Sequence, residues 1–152
     1  MTNSEIIQIV AILFSAIGVI IAICSNRRQL KTFNRQLKLT FFSEYTRRYQ
    51  EIALNFPENI NDSDFNYDKL EKEERNKILR YMRIYFDLCS EEYHLYKDGC
   101  LDENVWGNWE DGISHAMTKK SFKDAWIIVN RTSIFDGDFE EWIRLKMNNI
   151  SV

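Results

Sequence analysis

The sequence predicts an all-α protein, in which an N-terminal transmembrane helix continues into a long cytosolic helix packed with about four further helices as a small bundle. Three observations predict this class. Nineteen residues from Ile6 to Cys24 carry no charge. Downstream, apolar residues recur at steps of three and four, the period of a helix buried on one side. One proline and five glycines leave few interruptions, and no alternating Val/Thr-rich segment of useful length indicates a strand.

The first element is the predicted transmembrane helix, residues 5–26. About 20 apolar residues, each rising roughly 1.5 Å, cross the hydrocarbon core of a bilayer. A cleaved signal peptide and a buried core helix are the alternatives. Unlike a signal peptide, the chain has no Lys or Arg before the apolar run and no Ala-x-Ala pattern after it. The run is also longer than the roughly 10–14 residues of a buried helix. We therefore predict a retained single-pass helix.

The second element is a predicted basic juxtamembrane helix, residues 27–55. Residues 26–50 hold seven basic side chains and one acidic side chain. Because Lys and Arg stay on the cytoplasmic side of a membrane, we expect the N-terminus outside and the C-terminal domain in the cytoplasm. Four of the basic residues are expected at the membrane interface, attracted to anionic headgroups: Arg27, Arg28, Lys31 and Arg35.

An apolar stripe follows this basic helix to its end. Since no proline or glycine lies between the stripe and the apolar run, one helix is predicted from about Ser4 to about Asn55, and Phe56-Pro57 ends it. Two interpretations of the stripe remain open: packing within the chain, or pairing of two copies as a homodimer. The stripe consists of Leu30, Phe33, Leu37, Phe41, Tyr45, Tyr49, Ile52 and Phe56.

Residues 56–67 are predicted to form a loop, and residues 68–152 an acidic, aromatic-rich cytosolic domain of helices. The first helix of this domain should begin at Asp68, with Glu71 completing an acidic variant of the capping box. It should end at Gly99, because glycine favours the left-handed conformation that follows many helices. Its predicted buried face consists of Ile78, Met82, Tyr85, Phe86, Cys89, Tyr93 and Tyr96.

Three shorter helices complete the predicted domain. Asp102, Ser121 and Asp138 are the predicted N-caps, since Asp and Ser side chains accept hydrogen bonds from the free N–H groups at a helix start. The predicted buried residues are Val105, Trp106, Trp109, Ile113 and Met117 in the first of the three, Phe122, Ala125, Trp126 and Val129 in the second, and Phe139, Trp142, Ile143 and Leu145 in the third.

Charge and cysteine content restrict the partners of the chain. Residues 51–152 carry 13 basic and 21 acidic side chains, a net charge of −8, which disfavours nucleic acid as a partner. Three cysteines without C-x-x-C spacing argue against a zinc site and against a disulfide framework. The expected partners are a lipid bilayer with anionic headgroups, an unidentified protein and a second copy of the chain.

Acidic and histidine side chains on the helix predicted from Asp68 to Gly99 resemble a metal-binding pattern. Asp87, Glu91 and His94 share one face, and Glu91-x-x-His94 matches the pair found in di-metal sites of helical bundles. Such sites need a second Glu-x-x-His, which the sequence lacks. We interpret the cluster as a solvated polar face, with a mononuclear site that includes Asp111 and His115 as the alternative. No cofactor is predicted, and the motifs of phosphate loops, serine hydrolases and zinc peptidases are missing from the sequence.

The end of the same helix is the predicted partner-binding surface, because aromatic side chains there could form an exposed edge. This surface consists of Tyr93, His94, Tyr96 and Lys97. Tryptophans can also form binding hot spots. In a small helical domain they more often fill the core, and we interpret the four tryptophans in that way.

Two segments carry a resemblance to known proteins. They are FFSEYTRRYQEI from Phe41 to Ile52, and FDLCSEEY from Phe86 to Tyr93, which continues through Leu95-Tyr96-Lys97 and Gly99 to Val105-Trp106 and Trp109. Together with the N-terminal helix, they resemble a family of small bacterial single-pass membrane proteins with a cytosolic α-helical domain. The resemblance implies a location in the bacterial inner membrane, and it implies no activity and no catalytic residues.

The sequence therefore predicts a membrane-anchored, non-enzymatic adaptor, regulator or sensor whose cytosolic domain binds a protein partner. The first alternative is a membrane-permeabilising effector, with a role in anti-phage defence by analogy to other small membrane proteins. Its transmembrane helices would associate through the small residues Ser15, Gly18 and Ala22. The second alternative is a metal-dependent enzyme that uses the acidic and histidine cluster.

Overall fold

The computed structural model describes residues 2–148, without the side chains at positions 5 and 10, so the last four residues of the predicted distal domain lie outside the described residues. The described residues form five α-helices and no strand, which confirms the all-α class. The helices are α1 (Asn3–Ala53), α2 (Lys72–Lys97), α3 (Glu103–Ala116), α4 (Lys120–Asn130) and α5 (Gly137–Asn148). Two short 3-10 turns, Glu58–Asn61 and Tyr67–Lys69, lie between α1 and α2.

The chain divides into two compact units, and the first, Met1–Phe41, holds the N-terminal part of α1. Every described side chain of this unit is exposed, and its large apolar side chains keep between 39% and 71% of their surface accessible. By length and composition, α1 is long and apolar enough to cross a membrane. The four basic side chains predicted at the membrane interface are exposed on the same helix: Arg27, Arg28, Lys31 and Arg35.

The second unit, Phe42–Val152, contains the end of α1 and the four shorter helices around a core of aromatic side chains. Within it, α2 packs against α3 and α4. The ring of Phe86 on α2 lies 5.0 Å from that of Trp126 on α4, and the ring of Tyr93 lies 5.3 Å from that of Trp142 on α5. Six of the seven residues predicted on the inner face of α2 are buried, in agreement with the helical period. The seventh, Tyr96, is half-buried.

The apolar stripe of α1 is buried at only a few positions. Tyr45 and Ile52 are buried and Phe56 is half-buried, but Tyr49 remains 50% exposed. The earlier members of the stripe, from Leu30 to Phe41, are all exposed. Packing within the chain therefore accounts for the end of the stripe and leaves its beginning accessible. On α5, Leu145 is 56% exposed, so its predicted place in the core is wrong.

Three predicted helix starts are wrong for local reasons. The backbone N–H of Asp68 donates to the Asn66 side chain at 2.8 Å and starts a 3-10 turn, so α2 begins only at Lys72. Ser121 is buried inside α4 and does not cap it. At α5 the capping side chain is Asp136, whose carboxylate accepts the backbone N–H of Asp138 at 2.9 Å.

Two other helix ends agree with the sequence prediction. Gly99 has a φ of +70°, and its backbone N–H donates to the Tyr96 carbonyl at 2.9 Å. The next N–H, of Cys100, donates to the Leu95 carbonyl at 2.8 Å, which completes a Schellman motif at the end of α2. At the start of α3, the Asp102 side chain accepts the backbone N–H of Asn104 at 3.1 Å.

Candidate functional site

A cavity of about 410 Å³ lies within the second unit, between the end of α1, the middle of α2 and α3. Its volume is in the range of roughly 300–1,000 Å³ that is usual for small-molecule sites. Four of its lining residues come from α1, four from α2 and four from α3. They are Phe42, Tyr45, Thr46 and Tyr49, then Tyr85, Leu88, Cys89 and Glu92, and finally Asn108, Trp109, Gly112 and Ile113.

Aromatic rings form much of the cavity wall. The Tyr45 ring lies 5.3 Å from the Trp109 ring, and Phe42 stacks on the same tryptophan with centroids 6.3 Å apart. Tyr49 and Tyr85 approach each other at 6.4 Å. Since Phe42 and Tyr49 are 43% and 50% exposed, they mark the side on which the cavity meets solvent.

Glu92 supplies the carboxyl group of the cavity lining, and the residue is only 7% exposed. No hydrogen bond within residues 2–148 reaches this carboxyl group, and its oxygens are not among the fully buried polar atoms that lack a partner, so they face the open cavity. Burial in this apolar wall raises the pKa of Glu92 to about 8, against the smaller opposing effect of the Arg48 charge. The carboxyl group is therefore mostly protonated at neutral pH.

Two further titratable groups of α2 line the cavity beside Glu92. Burial raises the pKa of the Tyr85 hydroxyl and the pKa of the Cys89 thiol well above their ordinary values. Both groups are thus protonated at neutral pH, and a thiol is a much weaker nucleophile than a thiolate. Neither group is therefore ionised for nucleophilic attack at neutral pH.

An ion pair holds the end of α1 against α2 beside the cavity. Arg48 donates to both carboxylate oxygens of Glu91, at 2.6 and 3.2 Å, and the Tyr45 hydroxyl donates to the same carboxylate at 3.4 Å. The hydrogen bond from Arg48 lowers the pKa of Glu91. The guanidinium carbon also lies 5.3 Å from the centre of the Tyr45 ring. These contacts fix Tyr45, which lines the cavity.

The predicted metal ligands are not assembled into a site. Within the described part of the chain, no group of three or more His, Cys, Asp or Glu side chains is placed to hold a metal ion. Glu91 is engaged by Arg48, and Asp87 is exposed one turn before it on α2. Asp111 and His115 are exposed on α3, and His94 is half-buried on α2, where its ring contacts Tyr93. The mononuclear alternative therefore finds no geometric support in these residues.

The prediction of an exposed aromatic edge at the end of α2 is wrong for Tyr93. Tyr93 is only 7% exposed, and it packs among aromatic rings of α3 and α5. Tyr96 is half-buried and stacks on Trp106 with centroids 4.8 Å apart. Of the remaining two, His94 is half-buried and Lys97 is exposed, with its ammonium group 5.8 Å from the Tyr93 ring. Packing of the rings into the core explains this difference.

Sequence reasoning singled out Glu91 and missed its neighbour Glu92. A signal was present, because Glu92 lies four residues after Leu88 and three after Cys89, on the apolar face of α2. A carboxyl group at such a position is either paired or functional. The aromatic partners of Glu92 on α1 and α3 are distant in sequence, so periodicity within one helix could not reveal the cavity itself.

Comparison with protein-family models, curated proteins and solved structures gave no match to this chain. Its function is therefore argued from two features of the structure. These are the exposed apolar part of α1 and the aromatic cavity that contains Glu92.

Proposed function

We propose that this protein is a single-pass, membrane-anchored sensor without enzymatic activity. In this proposal, α1 holds the chain in the bacterial inner membrane, and the second unit binds a small, largely apolar ligand and reports its presence to a protein partner. One observation carries the proposal: the aromatic cavity whose wall contains the carboxyl group of Glu92, a residue only 7% exposed. Ligand sites are typically apolar cavities with a few polar groups that orient the ligand.

The membrane part of the proposal is supported by the exposure of apolar side chains on α1. Between Ile6 and Ile23, nearly every described large side chain is aliphatic or aromatic and exposed. An exposed apolar surface of this extent requires an apolar environment, which a bilayer provides. All backbone groups of a helix are satisfied within the helix, so this segment can lie in hydrocarbon. The basic residues that follow support an N-out, C-in orientation.

A non-enzymatic role is supported by the protonation states in the cavity. Cys89 and Tyr85 are held protonated by burial, and no histidine lines the cavity. No hydrogen bond among the described residues joins the Cys89 thiol to the Glu92 carboxyl, so the carboxyl group of the lining is not placed to activate that thiol. Binding of a ligand between α1, α2 and α3 would instead change how these helices pack, and such a change can be read by a partner protein.

The ligand-binding part can be tested by filling the cavity. Gly112 lines the cavity, and no atom lies within 4 Å of the position where its Cβ would stand. We expect wild-type protein in nanodiscs of zwitterionic lipid to bind phenylbutanol with a dissociation constant of about 1 mM or tighter. Gly112→Leu should weaken this binding at least about tenfold, because the leucine side chain takes up the ligand's space. Isothermal titration, with empty nanodiscs as the blank, measures both values.

Gly107→Leu is the matched control. Gly107 lies on α3 as well, has no atom within 4 Å of its Cβ position and does not line the cavity. Both substitutions add the same side chain and the same helix propensity, so only the position differs. Gly112→Ala should keep most of the binding. Equal binding by the two leucine variants, or no binding by the wild type, would refute the ligand-sensor proposal.

A further inference from the structure

Glu92 presents its carboxyl group to the cavity without a hydrogen bond from another described residue. The residue is 7% exposed and lines the cavity, and its carboxyl oxygens are not among the fully buried polar atoms of residues 2–148 that lack a partner. The oxygens are therefore open to the cavity, where a ligand can hydrogen-bond to them in place of solvent. The chemistry of the wall indicates which kind of ligand this is.

The cavity wall contains an acid but no base. None of its twelve lining residues is Lys, Arg or His. The guanidinium group whose charge acts on Glu92, that of Arg48, is bonded to both oxygens of Glu91. An anionic ligand would meet a carboxyl group without a compensating cation. A cationic ligand would supply the opposite charge that Glu92 lacks.

The rings around Glu92 also favour a cation. Five of the lining residues are aromatic, and they come from all three helices: Phe42, Tyr45, Tyr49, Tyr85 and Trp109. The face of an aromatic ring carries partial negative charge and attracts organic ammonium groups, most strongly where water is excluded. The same rings offer apolar contact to the body of a ligand.

We propose that the cavity binds a small organic ammonium ion, with a protonated amine that donates hydrogen bonds to Glu92 and an apolar body that packs among the aromatic rings. This inference rests on the proposed sensor function and adds the chemical class of the ligand. The volume of about 410 Å³ limits the body to the size of one or two rings or a short chain.

Binding of an ammonium ion to this site is linked to release of a proton. The ligand already carries its proton, so the carboxyl proton of Glu92 passes to solvent when the ion pair forms. With a Glu92 pKa of about 8, roughly 0.9 proton should be released per site at pH 7. The other titratable groups that face Glu92 are Tyr45, Arg48 and Tyr49 on α1 and Tyr85, Cys89 and Glu91 on α2, whereas the lining residues of α3 are uncharged.

The test compares three probes that share one apolar body: phenylbutylamine, phenylbutanol and phenylbutyrate. Each is titrated calorimetrically into full-length protein in nanodiscs of zwitterionic lipid between pH 6 and 9. We expect the amine to bind at least about tenfold tighter than the alcohol at pH 9, and its affinity to fall by about tenfold per pH unit below the pKa of Glu92. The alcohol should show little pH dependence, and the carboxylate should bind most weakly. Buffers of different ionisation enthalpy report the released proton.

Two variants separate this inference from the proposed function. Glu92→Gln should abolish the preference for the amine and its pH dependence, while Asp87→Asn, an exposed position on the same helix, should retain both. If the amine and the alcohol bind equally well at pH 9, the ammonium inference is wrong and the sensor proposal stands. If the preference survives in Glu92→Gln, the inference is also wrong. If no probe binds to the wild type, both proposals fail.

Discussion

Adjacent glutamates on α2 have opposite electrostatic environments. Successive residues of a helix point about 100° apart, so Glu91 reaches Arg48 on α1 while Glu92 turns into the apolar cavity wall. The hydrogen bond from Arg48 lowers the pKa of Glu91, and burial raises the pKa of Glu92 to about 8. One carboxylate thus contributes to holding two helices together, and the other reduces stability when it ionises. A ligand of opposite charge would stabilise the ionised form of Glu92, which burial in the cavity wall disfavours.

The buried carboxyl group of Glu92 should make the protein less stable as pH rises. Between its ordinary pKa of 4.5 in the unfolded chain and its folded pKa of about 8, the folded state keeps a proton that the unfolded state has lost. The free energy of unfolding should therefore fall by about 1.4 kcal/mol per pH unit in this window and level off above it. Glu92→Gln has no such proton and should show a flatter profile, with greater stability than the wild type at pH 8.

Urea unfolding of the full-length protein in detergent, followed by near-ultraviolet circular dichroism at pH 5 and pH 8, measures this difference. Glu74→Gln, at an exposed position on the same helix, serves as the control and should reproduce the slope of the wild type. Parallel pH profiles for the wild type and Glu92→Gln would show that Glu92 ionises normally in the folded protein.

The Arg48–Glu91 ion pair should contribute only modestly to stability, because both side chains are partly exposed at 33% and 48%. We expect a coupling energy of about 0.5–1 kcal/mol in a double-mutant cycle of Arg48→Ala and Glu91→Ala. The same unfolding measurement on the wild type, the two single variants and the double variant provides it. A coupling near zero would mean that the ion pair makes no measurable contribution to the packing of α1 on α2.

At the scale of elements, the sequence predicts the helices well and their starts less well. The buried faces of α2 and α4 follow directly from apolar residues at steps of three and four. The starts fail where more than one polar residue could cap: the Asn66 turn delays α2, and Asp136 replaces Asp138 at α5. Ser121 fails as a cap because tertiary packing buries it in α4. Capping side chains compete locally, and the sequence alone does not determine which of them wins.

The role of the glycine at the end of α2 can be predicted from the sequence. Gly99 has a φ of +70°, which L-residues with a side chain adopt at a cost. Gly99→Ala should therefore lower the free energy of unfolding by about 1 kcal/mol. Gly107→Ala, inside α3 with open space at its Cβ position, should instead raise it by up to about 1 kcal/mol. Urea unfolding tests the opposite signs, and a loss of stability in both variants or in neither would contradict this argument.

At the scale of the whole molecule, the candidate site is the feature that the sequence conceals most. Tyr45, Glu92 and Trp109 lie on three helices and become neighbours only through tertiary packing. Each helix taken alone shows an ordinary apolar face, so periodicity predicts a filled core at these positions. The N-terminal apolar helix, in contrast, can be recognised from the sequence, because length and composition are sufficient to identify a helix that could cross a bilayer. Local signals thus reveal the candidate membrane helix, and only the assembled fold reveals the cavity.

The proposed orientation depends on the basic residues after the apolar run. Replacing Arg27, Arg28, Lys31 and Arg35 with Glu leaves three basic and five acidic side chains in residues 26–50, so the net charge of this segment changes from +6 to −2. We expect this variant to invert or to fail to insert, because retention of Lys and Arg on the cytoplasmic side fixes the orientation. A C-terminal alkaline phosphatase fusion, active only when exported, should be inactive in the wild type and gain activity on inversion. Loss of the protein from the membrane fraction reports failed insertion.

A charge-conserving variant separates charge from side-chain identity. Arg27→Lys, Arg28→Lys, Lys31→Arg and Arg35→Lys together keep the net charge of the segment, and this variant should retain the wild-type orientation. An active phosphatase on the wild-type chain would place the second unit outside the cytoplasm and overturn the N-out, C-in proposal. An unchanged orientation in the glutamate variant would show that features other than these four charges set the topology. None of the four substituted residues lines the cavity of the second unit, so ligand binding and topology can be tested independently.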